Sequence, residues 1–148
     1  MKIVLLDTVG SGIPHLGLLF LSAVLKKAGY NDVVFCSINK SSNSFKRSEE
    51  FFLKQLAEKP LVLITATTPI WKISSDYAKI AKNAGCFVIV GGPAPTNLGK
   101  KILEKYDFID AVVRGEGETN IAQIAKGSLT NNFFGIKGVI WRKNGKII

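Results

Sequence analysis

The sequence predicts a doubly wound α/β fold, with a five-stranded parallel sheet in the flavodoxin-like strand order 2-1-3-4-5. Two observations support this prediction. Short, continuously apolar runs recur at nearly even intervals along the 148 residues, and patterns of helical periodicity lie between them. Continuously apolar runs are typical of strands that helices cover on both faces, and such an alternation favours parallel strands joined by right-handed crossovers. The length suits one domain over residues 1–148.

The predicted strands are the apolar runs themselves. They are residues 3–6 (IVLL), 33–36 (VVFC), 61–65 (LVLIT), 87–90 (FVIV) and 111–113 (AVV). Near the end of the sequence, Asn144-Gly145 is typical of a tight turn between two short strands. Residues 132–148 are therefore expected to form a hairpin extension that follows the parallel sheet.

The predicted helices follow from apolar positions at three-and-four spacing. Residues 15–28 are apolar almost all round, with Pro14 suited to a first helical turn and Gly29 to the C-terminal stop. Residues 45–58 give a more polar second helix. Apolar positions within residues 73–84, 98–106 and 121–125 mark the third, fourth and fifth helices.

Composition limits the classes of partner. The net charge of +9 raises the possibility of nucleic-acid binding, but most of the 20 basic residues are lysines spread singly or in pairs. No basic cluster alternates with aromatic residues as single-strand binding requires, which argues against a nucleic-acid partner. No apolar run reaches the roughly 18 residues of a membrane span, and the N-terminal region lacks the flanks of a signal peptide. We expect a cytoplasmic protein without a membrane partner.

The cysteines and the histidine do not predict a metal site. Cys36 and Cys86 lie in or beside apolar runs without a nearby His or Cys, so we expect two buried thiols. His15 stands alone, and one imidazole does not make a metal site.

The candidate site lies where the predicted strands end, because ligands of open doubly wound sheets bind outside the carboxyl ends of the strands. Four segments rich in Gly, Pro, Thr or Ser meet there, namely 7–15, 65–71, 91–96 and 114–119. The candidate cofactor-binding residues are Val9, Gly10, Ser11, Gly12, Thr65, Thr67, Thr68, Gly91, Gly92, Pro93, Thr96, Gly115, Glu116, Gly117 and Glu118.

Glycines in these segments would let the main chain approach a bulky ligand closely. We expect Gly92→Val to block such a groove and leave the domain folded. The segments contain no nucleophile–base pair and no metal-ligand cluster, so the sequence predicts no catalytic residue and a site that holds a ligand. A dinucleotide fingerprint is excluded because His15 stands where the third glycine belongs, and no G-K-[ST] of a P-loop occurs.

Four motifs together resemble one family. They are "PHLGLLFLSAVLKKAG" (14–29), "GGPAPT" (91–96), "DAVVRGEGET" (110–119) and the closing "GIKGVIWRKNGKII" (135–148). In this combination the chain resembles, over essentially its whole length, the N-terminal cobalamin-binding domain of cobalamin-dependent radical SAM enzymes. That group includes anaerobic Mg-protoporphyrin monomethyl ester cyclases and many methyltransferases.

The resemblance implies a cobalamin-binding module that holds the corrin for methyl transfer or radical chemistry carried out with another domain. No C-x-x-x-C-x-x-C occurs in the chain, so the iron–sulfur cluster and S-adenosylmethionine are expected only in a radical SAM domain, in cis if the chain is a fragment or otherwise in trans. The alternatives are a standalone Rossmann-like regulatory or interaction module with another ligand or none, and a basic nucleic-acid-associated domain.

The resemblance also bears on the cobalt ligand and the nucleotide tail. Cobalamin carriers with D-x-H-x-x-G after strand one use that His as the lower ligand, and here Val9 stands in its place. An aliphatic side chain cannot ligate cobalt, so the lower face of cobalt is expected to be left to Val9, water or no ligand, with His15 as the alternative donor. The tail is expected in the groove between the strand-three and strand-four loops. Where the family often has His in the fourth-strand motif, Ala94 is expected to remove a polar contact with the ligand.

Overall fold

The computed structural model describes residues 1–9 and 15–148, and it confirms the predicted α/β class. Among these residues one sheet has the order β2-β1-β3-β4-β5-β6-β7. Its strands are β1 (Ile3–Asp7), β2 (Val33–Ser37), β3 (Leu61–Thr65), β4 (Phe87–Gly91), β5 (Ala111–Val113), β6 (Val139–Lys143) and β7 (Lys146–Ile147). Strands β1 to β5 pair in parallel and in the predicted order 2-1-3-4-5.

The helices occur in the predicted order, and the first three lie close to the predicted spans. They are α1 (Leu16–Lys27), α2 (Phe45–Gln55), α3 (Trp71–Asn83), α4 (Pro93–Leu98), α5 (Lys100–Lys105) and α6 (Ile121–Thr130). Single 3-10 turns follow α2, over Leu56–Glu58, and precede α3, over Thr68–Ile70. In the described part of the chain, no helix has the length and apolar character needed to cross a membrane.

Each face of the sheet carries its own apolar core, because alternate strand residues point to opposite faces. On one face Val62, Val88 and Val112 pack with residues of α2, α3 and α5. On the other, Leu63 and Ile89 pack with residues of α1 and α6. We call the second side the α1/α6 face. The two cores explain why the predicted strands are apolar at every position.

The C-terminal hairpin extends the sheet, which is therefore larger than the five strands of the sequence prediction. Strand β6 pairs antiparallel with β5, aligning Ala111 with Trp141 and Val113 with Val139. Trp141 also packs against Phe133 on the α1/α6 face, with ring centroids 5.8 Å apart. Strand β5 is therefore paired on both edges, with β4 and with β6, and local sequence patterns do not predict the second pairing.

The predicted fourth helix over residues 98–106 is replaced by two short helices. Helix α4 starts earlier, at Pro93, so most of "GGPAPT" is helical and does not form a loop. Gly99 separates α4 from α5 with φ 51° and ψ −124°, a conformation that breaks the helix and favours glycine.

The two cysteines are buried, separate thiols, as predicted. Burial raises the pKa of Cys36 to about 12 and also raises that of Cys86. Within residues 1–9 and 15–148, no three His, Cys, Asp or Glu side chains are grouped in a way that could hold a metal ion.

Candidate functional site

A cavity of about 370 Å³ opens on the α1/α6 face, at the carboxyl ends of β3, β4 and β5. It is bounded by α1, by α6 and by the residues that follow β4 and β5. The lining residues are His15, Gly17, Leu18, Leu21, Leu63, Ile64, Thr65, Ile89, Gly91, Gly92, Pro93, Thr96, Asn97, Val113, Gly115, Glu116, Gly117, Glu118 and Ile121. The cavity thus lies at the edge of the sheet where the fold places its ligands.

The inner wall of the cavity is apolar. Leu63, Ile89 and Val113 project from three neighbouring strands onto the same face. Two residues further along β3 and β4, Thr65 and Gly91 continue the first two of these columns to the mouth, since alternate residues of a strand share a face. The wall therefore changes from aliphatic at depth to polar or side-chain-free at the opening.

Gly92 is needed for packing as well as for access. Its φ is +100°, and a Cβ there would lie 2.9 Å from both the Ala66 carbonyl oxygen and Thr65 Oγ1. Such contacts require the backbone to move, so Gly92→Val is expected to strain the fold, which argues against the expectation that this variant leaves the domain unperturbed. Gly91 has no such restriction, because a Cβ at this position meets Val113 at an ordinary 3.8 Å.

Thr96, within α4, joins this helix to the β5–α6 loop at the mouth of the cavity. Its hydroxyl oxygen accepts a hydrogen bond from the Gly115 backbone N–H at 3.0 Å. The Thr96 carbonyl oxygen accepts a second from Arg114 Nε at 3.2 Å. Helix α4 and the β5–α6 loop thereby hold one another in place.

Two ionisable side chains face the cavity with unpaired buried atoms. His15 is the N-cap residue of α1, and its side chain makes no capping hydrogen bond. Its Nδ1 is buried and has no hydrogen-bond partner among the described residues, and the same holds for Oε2 of Glu118. Buried polar atoms without a partner are unusual in proteins, which makes this part of the wall a candidate contact for a ligand.

Other predicted site residues lie away from this cavity. Thr67 and Thr68 belong to the 3-10 turn region before α3, and neither lines the cavity. Gly10, Ser11 and Gly12 lie outside the described residues. Ala94 is 1% exposed, packs in the interior and does not line the cavity. The structure therefore gives no support to the expectation that alanine at position 94 removes a polar contact with a ligand.

Val9 follows β1 and is 37% exposed. Its backbone N–H donates to Oδ1 of Asp7 at 2.8 Å, and Asp7 itself is only 1% exposed. The other carboxylate oxygen of Asp7 is buried without a partner among the described residues. Thr8 between them is fixed by a hydrogen bond of 2.7 Å with Ser74.

Several cavity residues were absent from the predicted set. They are His15, Gly17, Leu18, Leu21, Leu63, Ile64, Ile89, Asn97, Val113 and Ile121. For three of them a signal exists, because Leu63, Ile89 and Val113 each precede a predicted site glycine or threonine by two residues. The contribution of α1 has no comparable signal, since it depends on how the helix is rotated against the sheet.

Comparison with known families decides the identity of this fold. The sequence profile described as the B12 binding domain matches residues 2–125, which include the whole lining of the cavity. The chain belongs to the B12-binding domain family.

Relatives of this B12-binding domain carry it within longer proteins. An uncharacterised methyltransferase of Pyrococcus horikoshii is 31% identical over 150 residues, which cover 94% of this chain and 30% of the relative. Anaerobic magnesium-protoporphyrin IX monomethyl ester cyclases are 31% identical in Cereibacter sphaeroides and 34% in Rubrivivax gelatinosus. These matches cover 77% and 67% of this chain but 19% and 18% of the cyclases. The predicted resemblance is confirmed, and the B12-binding domain spans less than a third of each relative.

Proposed function

We propose that this chain is the cobalamin-binding module of a larger enzyme and that the α1/α6-face cavity receives the nucleotide tail of the cofactor. The observation that carries the proposal is the cavity itself, which is apolar at depth and holds unpaired polar atoms of His15 and Glu118. The corrin would then lie across the carboxyl ends of the strands, next to α4 and the β5–α6 loop that Thr96 joins to it.

The residues present fit a nucleotide tail. The cavity volume of about 370 Å³ falls in the range of small-molecule pockets, roughly 300–1,000 Å³. Aliphatic side chains of β3, β4 and β5 provide a surface for an aromatic base, and Gly91 leaves room at the mouth. The sequence predicts that the tail lies in a groove between the strand-three and strand-four loops. This proposal adds the β5–α6 loop and α1 to the residues that surround the tail.

We further propose that the chain supplies no cobalt ligand from position 9. Val9 is aliphatic and therefore has no donor atom. His15 faces the cavity proposed for the tail, which gives its imidazole a role away from the metal. The lower face of cobalt would be left to Val9, to water or to no ligand.

The chemistry is assigned to another part of the enzyme. The described residues that line the cavity include no nucleophile–base pair, and their ionisable side chains are those of His15, Glu116 and Glu118. The relatives are named as a methyltransferase and as cyclases, and this chain matches only a minor part of each. We propose that a radical SAM domain in cis carries the iron–sulfur cluster and S-adenosylmethionine, and that bound cobalamin serves there as a methyl carrier or in radical chemistry.

Titration of the purified protein with hydroxocobalamin tests the binding function. We expect a change in corrinoid absorbance that saturates at one equivalent, with a dissociation constant in the micromolar range, about −8 kcal/mol. A Rossmann-like module for another ligand, or a nucleic-acid-associated domain, would leave the spectrum of added hydroxocobalamin unchanged. The proposal of a radical SAM domain in cis is tested separately by sequencing the gene, which should encode C-x-x-x-C-x-x-C beyond this segment.

Gly17 offers a variant in which stability and binding change in opposite directions. A Cβ at this position in α1 would lie 3.3 Å from His15 Nδ1 and 3.9 Å from Glu118 Oε1. Gly17→Ala should raise the unfolding free energy by about 0.5 kcal/mol, because alanine favours the helix. It should also weaken cobalamin binding about tenfold, or 1.4 kcal/mol, by displacing His15. Thermal unfolding and absorbance titration measure the two effects, and tighter binding by the variant would contradict the assignment.

A further inference from the structure

The cavity combines two polar atoms of different hydrogen-bonding character. A Cβ placed on Gly17 would have His15 Nδ1 and Glu118 Oε1 both within 4 Å, so the imidazole and the carboxylate lie around one point of the wall. His15 Nδ1 and the second carboxylate oxygen of Glu118, Oε2, are buried and each lacks a hydrogen-bond partner among the described residues. They therefore present two separate, closely spaced groups to whatever occupies the cavity.

The character of the carboxylate restricts the ligand. An ionised carboxylate only accepts hydrogen bonds, whereas a neutral imidazole donates from one nitrogen and accepts at the other. A buried carboxylate oxygen without a donor is strongly unfavourable. The ligand that suits this wall must present an N–H or O–H donor to Glu118, together with a second polar atom for His15.

Cobamides differ in the base of the nucleotide tail, and these bases differ in that property. Dimethylbenzimidazole joined to ribose has one free ring nitrogen, which is an acceptor, and no N–H group. An adenine base offers an exocyclic amino group as donor beside ring nitrogens that accept. The adenine edge therefore provides partners for both side chains, and dimethylbenzimidazole provides one for His15 alone.

We propose that His15 and Glu118 select the tail base and favour a cobamide with an adenine-type base over cobalamin with dimethylbenzimidazole. This inference rests on the proposed binding of a cobamide with its tail in the cavity. The rival contact for Glu118 is a ribose hydroxyl, which all complete cobamides share and which would give no selectivity between bases.

The test compares three corrinoids, namely adeninylcobamide, cobalamin and cobinamide, which lacks the nucleotide tail. Each is titrated by absorbance against the wild-type chain and against Glu118→Gln. This substitution keeps the size and shape of the side chain but replaces one acceptor oxygen with an NH2 group, which donates. Glu50→Gln, at an exposed position of α2, is the matched control for loss of one negative charge. Melting temperatures establish that each variant is folded.

We expect the wild-type chain to bind adeninylcobamide at least about tenfold more tightly than cobalamin. Glu118→Gln should remove most of that preference by weakening adeninylcobamide, with cobinamide unchanged and Glu50→Gln like wild type. His15→Phe, which keeps an aromatic ring but no polar atom, should weaken both complete cobamides and spare cobinamide.

Two results would overturn the inference. One is equal affinity of the wild-type chain for the two complete cobamides, and the other is an equal loss of both in Glu118→Gln, which would place the carboxylate on the shared ribose. Failure of all three corrinoids to bind is a different outcome, because it rejects the proposed cobalamin function itself.

Discussion

Gly91→Val is expected to lower cobalamin affinity about 100-fold, or 2.7 kcal/mol, and to leave the fold intact. Gly91 ends β4 and points to the same face as Ile89, so its side chain would enter the cavity mouth. A Cβ there makes only ordinary contacts with Val113, at 3.8 and 3.9 Å. Valine also suits an extended backbone. The added methyl groups would occupy volume that the nucleotide tail needs.

Absorbance titration measures this loss, and thermal unfolding checks the fold. Gly91→Ala should give an intermediate affinity, since it adds one methyl group where valine adds three carbons. Cobinamide, without a tail, should bind the wild type and Gly91→Val alike. A parallel loss of cobinamide binding would mean that Gly91 contacts the corrin and would move the tail elsewhere.

Val9→His is expected to convert the spectrum of bound cobalamin to that of a histidine-ligated form. The substitution restores D-x-H-x-x-G around Asp7, whose buried Oδ2 has no partner among the described residues. A hydrogen bond from the new imidazole to that carboxylate would fix the ring orientation and raise the basicity of the other nitrogen. Absorbance spectra and electron paramagnetic resonance of the Co(II) state, which detects an axial nitrogen, measure the change.

His15→Ala is the control for this experiment. It should alter affinity for complete cobamides but leave the axial ligation of the wild-type complex as it was, because His15 is assigned to the cavity. Disappearance of an imidazole signature on removal of His15 would show that the lower face of cobalt has been assigned to the wrong residue.

The sequence predicts the strand positions well, because burial on both faces leaves an unbroken apolar run that hydrophilic loops delimit. Strand β3 matches its predicted bounds, and the other parallel strands differ by at most one residue. The break at Gly99 was not predictable in the same way. The apolar spacing of residues 98–106 continues through it, and only the positive φ of one glycine separates α4 from α5.

Of the loops predicted to form the site, those after β4 and β5 line the cavity, whereas Thr67 and Thr68 do not and the apolar wall was not predicted. Gly91 and Gly115 stand out in the sequence because glycine lets the main chain approach a ligand closely, whereas Leu63 and Ile89 resemble any other core residues. A buried leucine either packs against another side chain or lines a cavity, and the local sequence does not distinguish these two cases. The pairing of β5 with β6 was not predicted for a related reason, since it depends on residues far apart in the chain.

The link through Thr96 has a consequence for the thermodynamics of binding. Because its hydroxyl and carbonyl oxygens already hold Gly115 and Arg114 against α4, the β5–α6 loop loses little conformational freedom when a ligand arrives. A receptor whose loops are ordered beforehand gives up a smaller share of its contact free energy to ordering. Thr96→Val would cut the hydroxyl link while keeping the side-chain volume, so its main effect should appear as a less favourable binding entropy.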